Sequence, residues 1–417
     1  MREELEASFR AALEGTDPYE LTRAHLPDEI PALVVCVGKA ALPMARAAAD
    51  AYPDSQGLVI TRDGYGGEAG HFEVRESAHP VPDQRSGAAA EEVLARVGRL
   101  KAGDLVLLLV SGGGSALVCA PWGVSLEEKQ AVNRALLRSG APIGEMNTVR
   151  KHLSRFKGGQ LAGATEARIL TLILSDVPGD DLATVASGPT VPDPTTFADA
   201  LAVLDRHGLG LAAARAHLER GVRGEIDETP VEGDERLARV TNTLIGGGWQ
   251  LLQAAAAYWR SSQDAEVVTL SDSFGGEARE LAAFHAELVR CIRAHDSPWP
   301  VPVVLLSGGE SAVTVRGDGA GGRNQEFLLA LACALGDDGV WAIACDTDGI
   351  DGSTEAAGAV IGPDFASRAA AANVEPRRAL EDNDAHAAFA AIDGLVITGP
   401  TRNNVNDYRA IVVTRGN

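Results

Sequence analysis

Lysine is nearly missing from this 417-residue chain: five lysines stand against 32 arginines, and none follows Lys157. With arginine as the default cation, a lysine kept inside a motif points to a need for lysine itself. Cysteine is also sparse. The five residues (Cys36, Cys119, Cys291, Cys333 and Cys345) are odd in number and form no CxxC pair or Cys/His cluster. That pattern argues against a disulfide framework or a zinc site and suits a reducing, cytoplasmic setting. Positive charge is short overall. A formal net charge of −21 opposes nucleic acid or an anionic membrane as the main partner, and it means that an anionic ligand needs a local positive pocket. Long apolar runs are absent too: the longest, Leu105–Val110, is far too short to span a bilayer. The N-terminus, Met1-Arg2-Glu3-Glu4-Leu5-Glu6, is acidic with no apolar stretch behind it, so no signal peptide is expected.

What is present is an alternation of short apolar runs, glycine-rich loops and amphipathic segments. Ala32–Val37 leads into Gly38-Lys39 and a helix-like Ala40–Ala51. Gly57–Thr61, Asp104–Val110 and Ile169–Leu174 repeat the pattern, the last two ending in Ser111-Gly112-Gly113-Gly114-Ser115 and in the Asp176 loop. Residues 219–238 are highly charged and poor in large apolar groups. The pattern then restarts with strands at 244–245, 266–270, 301–306, 340–345 and 395–398. Continuous apolar strands between helices predict parallel sheets covered on both faces. The expectation is two α/β domains, residues 1–235 and 236–417, each with a Rossmann-like, mainly parallel sheet.

Several loops carry chemistry. Lys39 follows a buried strand, where α/β proteins bind ligands, and is placed to reach phosphate oxygens; the alternative is a solvated lysine capping a loop. Ser111–Ser115 offers two hydroxyls and three glycines as a cradle for phosphate or carboxylate, yet it fits neither the Walker loop nor G-x-S-x-G. Arg150 to Lys157 concentrates positive charge, and Lys151 is taken from it as an anion-binding candidate, against the alternative of a solvated basic face. Asp176 lies nearest its strand end and is the candidate general base among Asp176, Asp180 and Asp181. Ser307-Gly308-Gly309-Glu310 echoes the Ser111 loop. Arg323 and Asn324 open a helix behind glycines, which favours an anion. Asp346 and Asp348 suit a hard cation such as magnesium, or form an Asp-Gly turn. Gly317–Gly322 matches G-x-G-x-x-G formally and supports a competing dinucleotide reading, although Asp318 puts negative charge where pyrophosphate would sit.

Together these stretches, with Asn147–Gly159, Ser187-Gly188-Pro189-Thr190, Thr347–Gly352 and Thr401–Asn404, run in order along the chain. In that order they resemble the class II glycerate kinases, the glycerate 2-kinase family with a MOFRL C-terminal domain. The resemblance implies ATP- and Mg²⁺-dependent phosphorylation of the 2-hydroxyl of D-glycerate, with the active site in a cleft between two α/β domains. It makes Lys39 and Arg323 the leading catalytic candidates. Ser111, Gly112, Gly113, Gly114, Ser115, Lys151, Gly308, Gly309, Glu310 and Asn324 are expected to bind substrate or phosphate, and Asp346 and Asp348 the metal. The partners expected are small molecules, with the protein a monomer or a homodimer. An NAD(P)-dependent hydroxypyruvate reductase is the alternative.

Overall fold

The computed structural model describes residues 1–336 and 338–415. The chain forms two compact units, both discontinuous in sequence. A middle unit holds Pro18–Ser175 and Asp181–Ile245; a terminal unit holds Met1–Asp17, Asp176–Asp180 and the chain from Gly246 onward. These units do not follow the continuous division at 235/236. The Arg2–Gly15 helix buries Leu5, Phe9 and Ala12 and joins the terminal unit, where Phe9 stacks on Tyr408 with ring centroids 5.5 Å apart.

The sheet of the middle unit is built from β1 (Leu33–Val37), β2 (Gln56–Arg62), β3 (Glu73–Ser77), β4 (Leu105–Val110), β5 (Arg168–Leu174) and β6 (Val240–Gly246), in the order β3-β2-β1-β4-β5-β6. The pairs β1/β2, β1/β4, β2/β3 and β4/β5 are all parallel, as the continuous apolar runs predict. Every residue of β1 and β4 is buried, because helices cover both faces. The chain order reverses between β1 and β4. Loops leaving the carboxyl ends of two strands at such a reversal splay apart and leave a crevice for ligand. Here those loops are Gly38-Lys39-Ala40 and Ser111–Ser115. β6 belongs to this sheet, although its Leu244–Ile245 core was expected to begin the second domain.

The terminal unit contains β7 (Glu266–Phe274), β8 (Val303–Gly309), β9 (Trp341–Asp346), β10 (Gly358–Ile361), β11 (Leu395–Val396) and β12 (Asp407–Val413), ordered β11-β10-β9-β12-β8-β7. It too is an α/β layer, with the Ala278–His295 and Arg323–Leu335 helices burying Val289, Ile292, Phe327 and Leu331 against it. The sheet is mixed rather than simply parallel. β7, β8, β9 and β11 share one direction, while β12 and β10 oppose them, so only β7/β8 among its neighbouring pairs is parallel. β12 sits at the centre and is fully buried, and the apolar-run reading had placed no strand there.

One contact positions the crevice of the middle unit. Gly38 has φ 136°, and a Cβ there would lie 2.1 Å from Ser111 Oγ and 2.6 Å from the Ser111 carbonyl oxygen. The close approach lets Lys39 N donate to the Gly112 carbonyl at 2.9 Å and Ala40 N donate to Ser111 Oγ at 3.0 Å. Gly38→Ala is therefore expected to destabilise the protein by about 2 kcal/mol or more, lowering Tm by roughly 4–8 °C. Thermal unfolding of the variant beside the wild type measures this.

Candidate functional site

In the middle unit, Lys39 and the Ser111–Ser115 loop lie side by side, as expected. A Cβ on Gly113 would meet Lys39 Cγ at 3.3 Å and the His79 ring at 3.2 Å, so those side chains flank the loop. Its members divide by role. Ser111 is buried and spends its hydroxyl on Ala40 N, Gly112 anchors Lys39, and Gly114 packs against Ala186. Only Gly113 and Ser115 of the five reach the cavity beside the loop, a space of about 280 Å³ also lined by His79, Lys129, Arg150 and Lys157.

Lys151 does not reach that cavity. It is buried and pairs with Asp193 at 3.4 Å, which makes it a structural cation rather than an anion-binding one. His152 is structural as well, its Nδ1 donating to the Thr148 carbonyl at 2.8 Å and its Nε2 lying 2.9 Å from Glu228 Oε1. The basic stretch presents Arg150 and Lys157 instead. Lys157 Nζ donates to the Ser115 carbonyl at 2.5 Å and contacts Ser115 Oγ, which also lies 3.0 Å from Ser187 Oγ. Burial pulls the Lys157 amine down to about 7, with Lys129 adding like charge, and burial pulls Lys129 down to about 8. The scarcity of lysine was a signal for both.

The terminal unit gathers a buried network of charge. Arg323 Nε donates to Asp407 Oδ1 and its Nη2 to Asp346 Oδ2, each at 2.8 Å. Asn324 Nδ2 donates to the same Asp407 oxygen at 2.7 Å, while Arg409 Nη2 donates to Asp407 Oδ2 at 2.5 Å. Asp351 caps the helix that Arg323 begins, accepting from the backbone N–H groups of Asn324 at 3.1 Å and Gln325 at 2.9 Å. Burial alone would lower the Arg323 guanidinium, but Asp407 and Asp346 outweigh it and hold it above its ordinary value. Burial raises the Asp351 carboxyl against those two backbone donors. Arg323 borders a cavity of about 420 Å³ with Ser311, Gly321, Gly322 and Glu326. Asp407 and Arg409 were not among the sequence candidates, while Asp351, read beside Asp346 and Asp348 as a carboxylate for metal or substrate, serves here as the helix cap.

Other expected residues are placed differently from the reading. Gly308 and Gly309 are not an open anion loop: they continue β8, paired with Tyr408 and Asp407, and Gly309 (φ 113°) runs so close to Phe274 that a Cβ would lie 2.1 Å from its carbonyl oxygen. The echo between the two Ser-Gly-Gly stretches therefore does not extend to their geometry. Asn324 is fully buried within the charge network. Glu310 is exposed and near enough to Arg323 to favour its charged form. Asp176 Oδ2 accepts from Asn404 Nδ2 at 2.9 Å.

Asp346 and Asp348 do not make a metal cage by themselves. Asp346 Oδ2 is held by Arg323, its Oδ1 accepts from Asp348 N at 3.0 Å, and Asp348 Oδ1 accepts from Ile350 N at 2.9 Å. Among the described residues no group of three or more His, Cys, Asp or Glu side chains is arranged to hold an ion. The Gly317–Gly322 stretch does not offer a pyrophosphate loop either. The N–H groups of Arg316 and Gly317 go to Asn383 Oδ1, that of Gly319 to the Asp382 carbonyl and that of Ala320 to Asp384 Oδ1. No described helix is long and apolar enough to cross a membrane.

Comparison with known proteins matches residues 4–219 to DUF4147, a domain of unknown function, and residues 303–407 to the MOFRL family. A protein of Agrobacterium vitis named "Putative hydroxypyruvate reductase" is 47% identical, over 99% of this chain and 94% of its own. The D-glycerate 2-kinase of Thermotoga maritima is 40% identical over 95% of each chain. A crystal structure of a glycerate kinase from Thermotoga maritima has a TM-score of 0.88 to this fold, 38% identical and covering 99% of each chain.

The buried lysines predict a pH signature. Unfolding returns Lys157 from about 7 to the ordinary 10.5, so between these values the unfolded chain binds the extra proton and stability rises with pH. Thermal unfolding at pH 7 and pH 9.5 should show wild-type Tm gaining on that of Lys157→Met as pH rises. Parallel behaviour of the two proteins would contradict the depressed amine.

Proposed function

Because the chain belongs to the glycerate kinase family that joins a DUF4147 region to a MOFRL region, we propose that it is a glycerate 2-kinase. It moves the γ-phosphoryl group of ATP to the 2-hydroxyl of D-glycerate, giving 2-phosphoglycerate and ADP. The observation that carries this reading is the pairing of Lys39 with the Ser111–Ser115 loop at the chain reversal between β1 and β4, in a chain of this family.

In phosphoryl transfer the protein mainly positions groups and neutralises charge. The 2-hydroxyl oxygen forms a bond to the γ-phosphorus, the bond from that phosphorus to the bridging oxygen breaks, and ADP leaves with the electron pair. Lys39 and Arg323 stabilise the negative charge that spreads over the transferring group. The two carboxylates on Nε and Nη2 of Arg323 fix the plane of its guanidinium. Asp176, oriented by Asn404, takes the hydroxyl proton. When bound with the nucleotide, magnesium would supply charge neutralisation for its phosphates, and Asp348 and Asp346 would be the carboxylates to hold it. The five free thiols suit a cytoplasmic enzyme.

The reductase reading has the name of the Agrobacterium vitis relative in its favour, but in the loop it needs the N–H groups of Gly317, Gly319 and Ala320 are engaged by residues 382–384. Purified protein with Mg-ATP and D-glycerate, coupled to enolase without a phosphoglycerate mutase, should give signal. Signal only after mutase is added would move the phosphate to the 3-position. Silence in both assays together with oxidation of NAD(P)H by hydroxypyruvate would overturn the kinase in favour of the reductase. Lys39→Ala should lower kcat by about 10²–10³-fold while Tm holds; Arg323→Lys should lower kcat by a similar factor and lower Tm as well, since an ammonium cannot replace the fork between two buried carboxylates.

A further inference from the structure

Lys129, Arg150 and Lys157 face one cavity of about 280 Å³, and none of its lining residues is acidic. Their hydrogen-bond partners are all neutral. Lys129 Nζ donates to the carbonyls of Arg150 and Leu153, and Lys157 Nζ to Ser115. Arg150 Nε donates to Asn133 Oδ1 at 3.1 Å, and its Nη1 lies 3.5 Å from Asn147 Oδ1. No carboxylate among the described residues balances any of the three, whereas the neighbouring Lys151 has Asp193. Lys129 and Lys157 are almost fully enclosed, at 2% and 3% exposure. Holding basic groups out of water with no carboxylate beside them disfavours their charged forms, which is why the Lys129 and Lys157 amines are lowered, and an entering anion would favour those charges again.

The size and surroundings narrow the anion. Drug-sized ligands occupy pockets of roughly 300–1,000 Å³, so this one is small for a nucleoside triphosphate and roomy for a three-carbon acid. Pro80, Pro82, Ala116 and Leu137 give it an apolar side. Gly113 forms part of its wall and also touches the Lys39 stem, so a ligand held here lies beside the loop that carries Lys39. We propose that this cavity is the acceptor pocket, in which Lys157 and Arg150 bind the carboxylate of a small hydroxy acid and so direct its hydroxyl end toward Lys39. The proposal rests on the kinase reading for its ligand but not for the existence of the pocket.

The test uses the full chain as wild type, Lys157→Met, Arg150→Gln and the exposed control Lys101→Met. Thermal shifts are recorded with D-glycerate, inorganic phosphate and Mg-ATP separately, alongside KM values for both substrates. D-glycerate should raise wild-type Tm. At pH 7 Lys157→Met should match or exceed the wild-type Tm without ligand, because it removes a buried amine that has no carboxylate partner, yet lose the D-glycerate shift. Its KM for D-glycerate should rise at least tenfold with that for ATP held within twofold. Arg150→Gln should change the same constants in the same direction, and it carries the test if Lys157→Met fails to fold; Lys101→Met should change neither. A Lys157→Met protein that keeps the D-glycerate shift, or one whose ATP constant rises instead, overturns the proposal. A shift with inorganic phosphate but none with D-glycerate, lost in both pocket variants, overturns the carboxylate assignment. A Lys157-dependent D-glycerate shift in a wild type silent in the enolase assay leaves the pocket standing and defeats the kinase reading alone.

Discussion

The carboxylate of Asp407 fixes the terminal unit more than any other single group. One oxygen accepts from Arg323 and Asn324, at the first turn of the Arg323–Leu335 helix; the other accepts from Arg409 on the same face of β12. The central strand, the helix start and, through Arg323, the end of β9 are thereby held in one relation. Such a cluster is a weak source of net stability, because each charge has lost its water. It is a strong source of specificity: removing one member leaves its partners charged, enclosed and unbalanced, at about 3–5 kcal/mol. A register slip of β12 by one residue would have the same effect.

That same pairing explains what the sequence could and could not disclose. β1, β4 and β5 were legible because strands buried on both faces read as unbroken apolar runs, and helices between them imply parallel neighbours. Lys39 was legible because it follows such a run in a chain that otherwise avoids lysine. β12 was not, since Asp407-Tyr408-Arg409 looks like the polar lead of a loop, and only the partners on β8, β9 and the helix make an aspartate and an arginine tolerable in a central strand. The second Ser-Gly-Gly stretch misled for the converse reason: its glycines are there for close backbone approach inside a strand, not for an open turn. In the basic stretch, composition announced an anion site but not which cation serves it. Lys151 meets Asp193 and Lys157 meets Ser115, a distinction made by residues far away in sequence.

The two units handle buried charge in opposite ways. In the terminal unit every guanidinium of the network meets a carboxylate, and the result is a rigid seat for a helix. In the middle unit Lys129, Arg150 and Lys157 lean on carbonyls, a hydroxyl and amide oxygens, which orient them without cancelling them. Neutral partners leave the positive potential intact, and in a low-dielectric surround that potential acts strongly on whatever enters. Proteins retain such unbalanced groups at some expense in stability where binding requires them.

The Arg2–Gly15 helix belongs with residues that follow the whole of the middle unit. Ser8 Oγ lies 2.8 Å from Tyr408 Oη on β12, and Asn403 Nδ2 donates to the Thr16 carbonyl at 2.9 Å. During translation this helix emerges before its neighbours and must wait for them, its apolar face uncovered, while the middle unit is completed. The contact between this helix and β12 is therefore among the most non-local in the chain, and a folded middle unit would shorten the loop that it has to close.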